Sequence, residues 1–292
     1  MNDTEKSDSN RGRPRPRVDT RPKSVYIPAV MTSILSGIGD WTLAALANAG
    51  RSSLLLLEIV RQFPHIPKMR RQVLEQMHIV AVGSLPLVLT TSIFVGAVTA
   101  VQAVYQMQAY VPMKFLGTVI SKSVFIELGP VLVALVVGGR LCANYAAELG
   151  TMKVTEQIDA LEMLAIDPMR YLAMPRFVAT FLMLPVITVF ADAIAIVSGY
   201  FVSVATMDVT ISTFKEGLLM YFDLADLFSG LLKSFFFGGI IALSGLYFGL
   251  NTRGGAEGVG NATMMAVVGS CLSVLVADYF MATFLIQIVF GK

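Results

Sequence analysis

The sequence predicts an all-α integral membrane protein with five transmembrane helices. Hydrophobic residues make up 55% of its 292 residues and charged residues only 14%, with a mean hydropathy of +0.70. Soluble domains carry roughly a quarter charged residues, so this composition is that of a membrane protein. Five apolar stretches are each long enough to cross a bilayer, which takes roughly 20 residues of helix. They are residues 78–108, 115–147, 177–207, 227–250 and 262–290.

The region before the first span divides into two predicted segments. Residues 1–24 are polar, rich in arginine and proline, and predicted to be disordered because they have too little apolar surface to bury. Residues 25–77 form the second segment, in which residues 25–63 alternate apolar and small residues and include Trp41, the only tryptophan, and residues 64–75 are basic. This pattern predicts an amphipathic helix in the membrane interface, anchored by Trp41. Residues 78–292 would then form the five-span membrane domain.

Lysine and arginine in the short connections predict the orientation. The N-terminal region is rich in both, and the connection after span two contains Lys153 and Arg170. The opposite side has Lys114, Lys215 and the terminal Lys292. The N-terminus and the connection after span two are therefore expected in the cytoplasm, and the C-terminus outside.

The connection between spans two and three is predicted to form an amphipathic helix over residues 152–167. Its apolar residues recur at helical spacing, acids occupy another face, and Pro168 is expected to end it. Spacing alone leaves two interpretations open. The helix rests on the membrane surface, or it transmits the motion of a soluble partner to the spans. The apolar residues are Val154, Ile158, Leu161 and Ala165.

Four ionisable residues within the spans are candidate functional groups, because charge in a bilayer is costly and is commonly functional. Glu127 and Arg140 both lie in span two, but thirteen residues of helix separate them by roughly 20 Å, so they are not expected to pair. Asp192 and Asp278 lie near the middle of spans three and five. Hydrogen bonds between packed helices are the alternative role for all four, and Arg140 with Asp278 is a conceivable pair.

Other classes of site have no support in the sequence. It contains no G-x-x-x-x-G-K-[ST] loop, so if transport is driven by ATP a separate subunit supplies the ATPase, and no cofactor is expected in this chain. We find no set of nucleophile, base and orienting residue, and therefore predict no catalytic residues. Two cysteines and two histidines lack metal-site spacing, so no metal is expected. The short basic tail is interpreted as contacting lipid headgroups or fixing topology, without a nucleic-acid partner.

Three motifs resemble the MlaE (YrbE) family of permeases, which belong to ABC transporters that work with MCE-domain proteins on phospholipids. The motifs are ELGPVLVALVVGGR, AAELGTMKVTEQIDALEMLAIDP and GGAEGVGNATMMAVV. The resemblance covers nearly the whole chain from about residue 35. It implies an elbow helix, five spans and a cytoplasmic coupling helix over residues 153–166, between spans two and three.

The resemblance also implies partners and site residues. Two copies of the permease would form a homodimer with two ABC ATPase subunits below and a hexameric MCE protein above, in the inner membrane of a bacterium with an outer membrane. The outward-facing lipid cavity would be lined by spans one, two and five, with contacts from Thr99, Gln102, Met107, Tyr110 and Glu127. The residues implied in ATPase coupling are Glu148, Lys153, Thr155, Glu156, Gln157, Asp159 and Leu161.

One position departs from the family pattern. Some members have an arginine just before the glutamate of the ELGP motif, where this chain has Ile126, and Lys122 is the candidate substitute for a headgroup contact. The function expected is that of a permease subunit passing phospholipid between the inner membrane and a periplasmic MCE protein, maintaining outer-membrane lipid organisation. Two alternatives remain: an ion-coupled secondary transporter using intramembrane carboxylates, and an intramembrane enzyme acting on lipids.

Overall fold

The computed structural model describes residues 43, 47–107, 112–207 and 209–289. The chain divides into two compact units, residues 1–49 and 50–292. In the first unit, the described residues 43 and 47–49 are helical. The disordered tail predicted over residues 1–24, Trp41 with most of the first part of the interfacial segment predicted over residues 25–77, and Tyr110 lie outside the described residues.

The described part of the second unit consists of helices and their connections. Residues 50–61 of this unit are helical (α1) and lead through a 3₁₀ segment, Phe63–Met69, into the first span. Span two contains two α-helices joined by a π-helical turn at Val124–Leu128. A second π-helical turn, Met169–Ala173, precedes span three. The remaining helices are α2 (Arg70–Met107), α3 (Leu116–Ser123), α4 (Gly129–Val154), α5 (Gln157–Met163), α6 (Met174–Met207), α7 (Ile211–Met220), α8 (Leu224–Leu250) and α9 (Gly255–Val289).

The five predicted spans are confirmed as helices long and apolar enough to cross a membrane, and the protein is an all-α multi-pass membrane protein. Several are longer than the apolar stretches that predicted them, because polar residues at their ends continue the same helix. Span one, for example, begins well before His78. The five spans are Phe63–Met107, Met113–Val154, Met169–Ala205, Leu224–Leu250 and Gly255–Leu285.

Two groups of helices, joined by the packing of α6 against α8, make up the bundle. Helix α2 packs along α6, whereas α4 packs against α8 and α9. Close approach of α8 to α4 depends on Gly245 and Gly249, since an added Cβ at either would lie 3.0 Å from a side-chain atom of α4. Helices α2 and α4 meet only sparsely. A cleft therefore remains between spans one and two.

The prediction of a single helix over residues 152–167 is wrong. Span two continues to Val154, the chain then turns through Glu156 at φ 60°, and α5 is only seven residues long. Its C-terminus is closed by Ala165 at φ 59°, with N–H of Ile166 donating to the Leu161 carbonyl at 3.0 Å. This is a Schellman motif, which satisfies the last carbonyls and ends a helix. Pro168 therefore follows a helix that has already ended.

Candidate lipid cavity, charge network and coupling surface

A cavity of about 500 Å³ occupies the cleft between spans one and two. Its walls are mostly apolar, and its polar groups are two glutamines, Thr99 and Ser123. Thr99 Oγ1 donates to the Val95 carbonyl at 2.7 Å, so the amides are the side chains best able to contact a ligand. The lining residues are Phe94, Val95, Val98, Thr99, Gln102, Ala103, Gln106, Val119, Ser123, Leu128 and Leu132.

The structure brings together part of the predicted lipid-binding set. Thr99 and Gln102 line this cavity, and their contact with lipid stays a prediction. Met107 does not, because it is buried where α2 packs against α3, α6 and α7. Glu127 also lies outside the lining, with 44% of its side chain exposed. Its contact with lipid remains a prediction.

The π-helical turn in span two sets the direction of Glu127. Pro130 follows at the start of α4, and a proline ring clashes with the carbonyl four residues earlier in a regular α-helix. The wider turn avoids this clash, with the Gly129 N–H donating to the Val124 carbonyl, five residues back. Glu127 thereby faces α8.

Lys233 joins three spans in one charge network. Its Nζ lies 2.5 Å from Oε2 of Glu127 and 2.9 Å from Oδ1 of Asp278. The Lys233 side chain is 1% exposed and Asp278 is 15% exposed, so the pairing is largely shielded from solvent. An ammonium in that position is stabilised only by its two carboxylates. The conceivable pair of Arg140 with Asp278 is therefore wrong, because Asp278 is paired with Lys233.

A second ion pair joins span two to α8. Lys122 Nζ lies 2.7 Å from Oδ2 of Asp226, which is buried. Lys122 was the candidate for a lipid headgroup contact, but its charge is already compensated within the protein.

Asp192, in span three, packs against Gly129 of span two, apart from the Lys233 network. Its side chain is buried, and its Oδ1 has no hydrogen-bond partner among the described residues. A Cβ added to Gly129 would lie 1.7 Å from that oxygen, so only glycine fits there. Asp192 thus packs behind the π-helical turn, away from Asp278.

Arg140 reaches from α4 to α2. Its Nη1 donates to the buried Ser84 hydroxyl at 2.8 Å. This contact lies at the end of the cleft that is nearest α5.

The region predicted for coupling is held to the bundle by its apolar residues. Ile158 is buried and Leu161 packs against the same core cluster, so these two residues of the predicted apolar face point inward, whereas Ala165 is exposed. Two apolar side chains at the end of α5 are largely exposed: Met163 is 90% exposed and Leu164 is 71% exposed. The connection after α5 is fixed by Gln62, whose Nε2 donates to Oδ2 of Asp167 at 2.9 Å.

The polar residues of the predicted coupling set cluster at the turn between α4 and α5. Lys153 Nζ contacts Oδ1 of Asp159 at 2.7 Å, and Gln157 Nε2 donates to Thr155 Oγ1 at 3.0 Å. Glu156 is exposed at the left-handed position. Glu148 lies apart from them, more than one helical turn earlier in α4. Its Oε1 lies 3.0 Å from Nη2 of the buried Arg176. The structure therefore brings five of the seven residues together at this turn, whereas Leu161 packs inward and Glu148 lies apart.

Known proteins are similar in sequence to this chain over most of its length. A family profile described as Permease MlaE matches residues 73–284. The chain belongs to the MlaE permease family. It is 35% identical over 250 residues to a probable ABC transporter permease protein of Rickettsia bellii, covering 86% of this chain and 96% of the relative. A probable ABC transporter permease protein of Synechocystis is 40% identical over 218 residues, covering 75% and 83%.

A plant relative is also similar to this MlaE-family permease. The Arabidopsis thaliana protein named TRIGALACTOSYLDIACYLGLYCEROL 1, chloroplastic, is 35% identical over 217 residues, which is 74% of this chain and 62% of the relative. Membership of the family makes this chain a multi-pass transmembrane component of an ABC transporter.

Sequence reasoning missed several residues of this permease's site. Lys233, Asp226, Arg176 and Met163 have no role in the predicted set. A lysine within an apolar helix, in a chain with two acids in neighbouring spans, was the available signal for the charge network. Nothing in the sequence pointed to Met163, because an apolar residue in an amphipathic pattern is ordinarily expected to be buried.

Proposed function

We propose that this chain is the membrane subunit of an ATP-driven transporter that passes phospholipid between the inner membrane and a periplasmic MCE protein, and so maintains outer-membrane lipid organisation. The complex would contain two copies of the chain, two ABC ATPase subunits and an MCE hexamer. ATP would be bound by the ATPase, leaving this chain without a cofactor or a catalytic residue.

The cavity between spans one and two carries this proposal. Its volume of about 500 Å³ lies within the range of ligand-binding cavities. Apolar walls suit acyl chains, whereas the amides of Gln102 and Gln106 suit the polar glycerol end of a lipid. The plant relative is named after a diacylglycerol lipid, and this name supports a lipid as the transported molecule.

The exposed end of α5 supports an ATPase partner. Met163 and Leu164 offer apolar surface at the end of a helix that is fixed to the bundle through Ile158. Solvent-exposed apolar side chains on a rigid element are typical of a protein-binding surface. A displacement of α5 by the ATPase would be transmitted directly to span two, because only two residues separate α5 from α4.

The proposed location is the inner membrane, with the N-terminus and α5 in the cytoplasm and the C-terminus in the periplasm. The distribution of lysine and arginine supports this orientation. In this orientation α5 would face the ATPase in the cytoplasm, and the opposite ends of the spans would face the MCE protein in the periplasm.

The network of Lys233, Glu127 and Asp278 favours one alternative, a proton-coupled carrier. The test replaces Glu127 in the reconstituted complex and measures lipid transfer with and without ATP. Glu127→Gln can still accept a hydrogen bond from Lys233 and should retain most ATP-dependent transfer, whereas Glu127→Leu should lose much more. Abolition by Gln, together with transfer that ignores ATP, would establish the carrier and exclude the permease mechanism.

A further inference from the structure

Arg140 is a membrane-embedded cation without a carboxylate. Lys122, Arg176 and Lys233 each have a carboxylate oxygen within 3.0 Å. Arg140 has none within 4.0 Å among the described residues, and its one hydrogen bond goes to the neutral Ser84 hydroxyl. A guanidinium has five N–H donors and stays charged, so an uncompensated one within a span is costly. Its charge is therefore left to be compensated by an anion from outside the described residues.

The position of Arg140 continues the cavity lining. On α2, Ser84 lies on the same helix face as Val95, Thr99 and Gln102, at 100° per residue. On α4, Arg140 follows Leu132 by two intervals of four residues, on a ridge that also lines the cavity. The contact between Arg140 and Ser84 therefore lies in the same cleft, at its end nearest α5.

Gly83 provides an open notch for the guanidinium. A Cβ added at Gly83 would lie 2.2 Å from Arg140 Nη2, so the guanidinium occupies space that any other residue would fill. Gly83 itself is exposed on the outer surface of α2, and Arg140 is half-buried. Gly83 lies five residues beyond His78, about 8 Å along the helix, and no charged residue of α2 follows His78. The notch is thus near the membrane boundary and open to the bilayer.

We propose that Arg140, lying against Gly83, forms a phosphate-binding notch where a phospholipid of the leaflet on the α5 side first enters the cleft. This inference rests on the proposed phospholipid-transport function. The planar guanidinium fork matches the two non-bridging oxygens of a phosphodiester, and that anion would supply the charge that Arg140 lacks. The acyl chains would then lie along the apolar wall leading to the cavity.

Photolabelling of the whole transporter complex in lipid nanodiscs tests the notch. The probe is a phosphatidylethanolamine with a diazirine near the glycerol end of one acyl chain, and the comparison probe is the diacylglycerol with the same chains. Label on the peptide containing Gly83 is measured by mass spectrometry. Arg140→Gln should reduce phospholipid labelling about tenfold, because hydrogen bonds from a charged group contribute more than neutral ones.

Two matched variants separate charge from packing. Ser84→Ala removes the interhelical hydrogen bond and keeps the cation, so labelling should stay within about twofold of the unmodified protein, a loss of under about half a kcal/mol. Gly83→Ala keeps the cation, but its methyl group takes the space that the Arg140 guanidinium occupies and displaces it. Labelling should therefore fall as in Arg140→Gln. This variant keeps the test valid if Arg140→Gln fails to accumulate in the membrane.

Several results would overturn the proposal. These are unchanged labelling in Arg140→Gln, diacylglycerol labelling as strong as that of the phospholipid, or no label near Gly83 because a second copy covers it. Competition by inorganic phosphate would identify a free-anion site instead of a lipid site. ATP-dependent transfer measured on the same preparation distinguishes the two proposals. Arg140-dependent labelling without transfer refutes the proposed function alone, and transfer with Arg140-independent labelling refutes the notch alone.

Discussion

Replacing Lys233 with methionine should destabilise the protein far more than the same replacement at Lys153. Both lysines pair with a carboxylate at under 3 Å, so the two variants differ mainly in environment. Lys233 is 1% exposed and its partner Asp278 15% exposed, whereas Lys153 and Asp159 are 37% and 53% exposed. Methionine keeps most of the side-chain volume and removes the charge.

The expected difference follows from desolvation. Removing one partner of a buried ion pair costs about 3–5 kcal/mol, because the remaining charge is left buried without compensation. Glu127 is 44% exposed and can be hydrated, so we expect the lower end, about 3 kcal/mol, for Lys233→Met. An exposed pair contributes about 0.2–1 kcal/mol, which sets the expectation for Lys153→Met.

Thermal unfolding of the purified complex in detergent measures both variants. At about 2–4 °C per kcal/mol for a large domain, Lys233→Met should melt about 6–12 °C below the unmodified protein and Lys153→Met within about 4 °C of it. A triple variant that also carries Glu127→Gln and Asp278→Asn leaves no uncompensated charge and should recover more than half of the loss. Equal melting temperatures for the two single variants would refute the network's buried character.

Three further predictions concern the π-helical turn, α5 and the orientation. Gly129→Ala places a methyl group on the Asp192 carboxyl oxygen and should cost about 1–3 kcal/mol in thermal unfolding, while Asp192→Ala in the same chain should restore most of it. A normal melting temperature for Gly129→Ala would contradict this. Met163→Asp should reduce co-purification of the ATPase without loss of thermal stability, whereas Leu161→Asp should lower stability because Leu161 packs inward; normal ATPase recovery with Met163→Asp would exclude this docking surface. A cysteine replacing Lys153 should resist an impermeant thiol reagent in intact cells, and its labelling from the periplasm would reverse the proposed orientation.

Much of the fold could be predicted from the sequence because span formation depends on local composition. Twenty apolar residues must form a helix in a bilayer whichever neighbours they have, so all five spans were found. Their ends were less predictable, since polar residues such as those before His78 continue a helix without a change in local pattern. The break at Glu156 was missed because it depends on a left-handed residue for which glutamate gives no signal.

The candidate site could be predicted only in part, because ion pairing depends on which helices are neighbours. Glu127 and Asp278 were recognised as costly charges, but their shared partner Lys233 is more than forty residues from either. The same limit explains the wrong pairing of Arg140 with Asp278. The roles of Thr99 and Gln102 came from the resemblance, and their helix face is consistent with it.

The central claim is that the cavity between spans one and two carries phospholipid, and ATP-dependent lipid transfer by a cavity-filled variant tests it most directly. Gln102→Trp places a bulky ring in the cavity, whereas Ile93→Trp adds the same ring on the opposite side of α2. With the ATPase bound normally, Gln102→Trp should reduce transfer to under about a tenth, because a ligand buries most of its surface in such a cavity. Ile93→Trp should leave transfer nearly unchanged. Normal transfer by Gln102→Trp would contradict the claim.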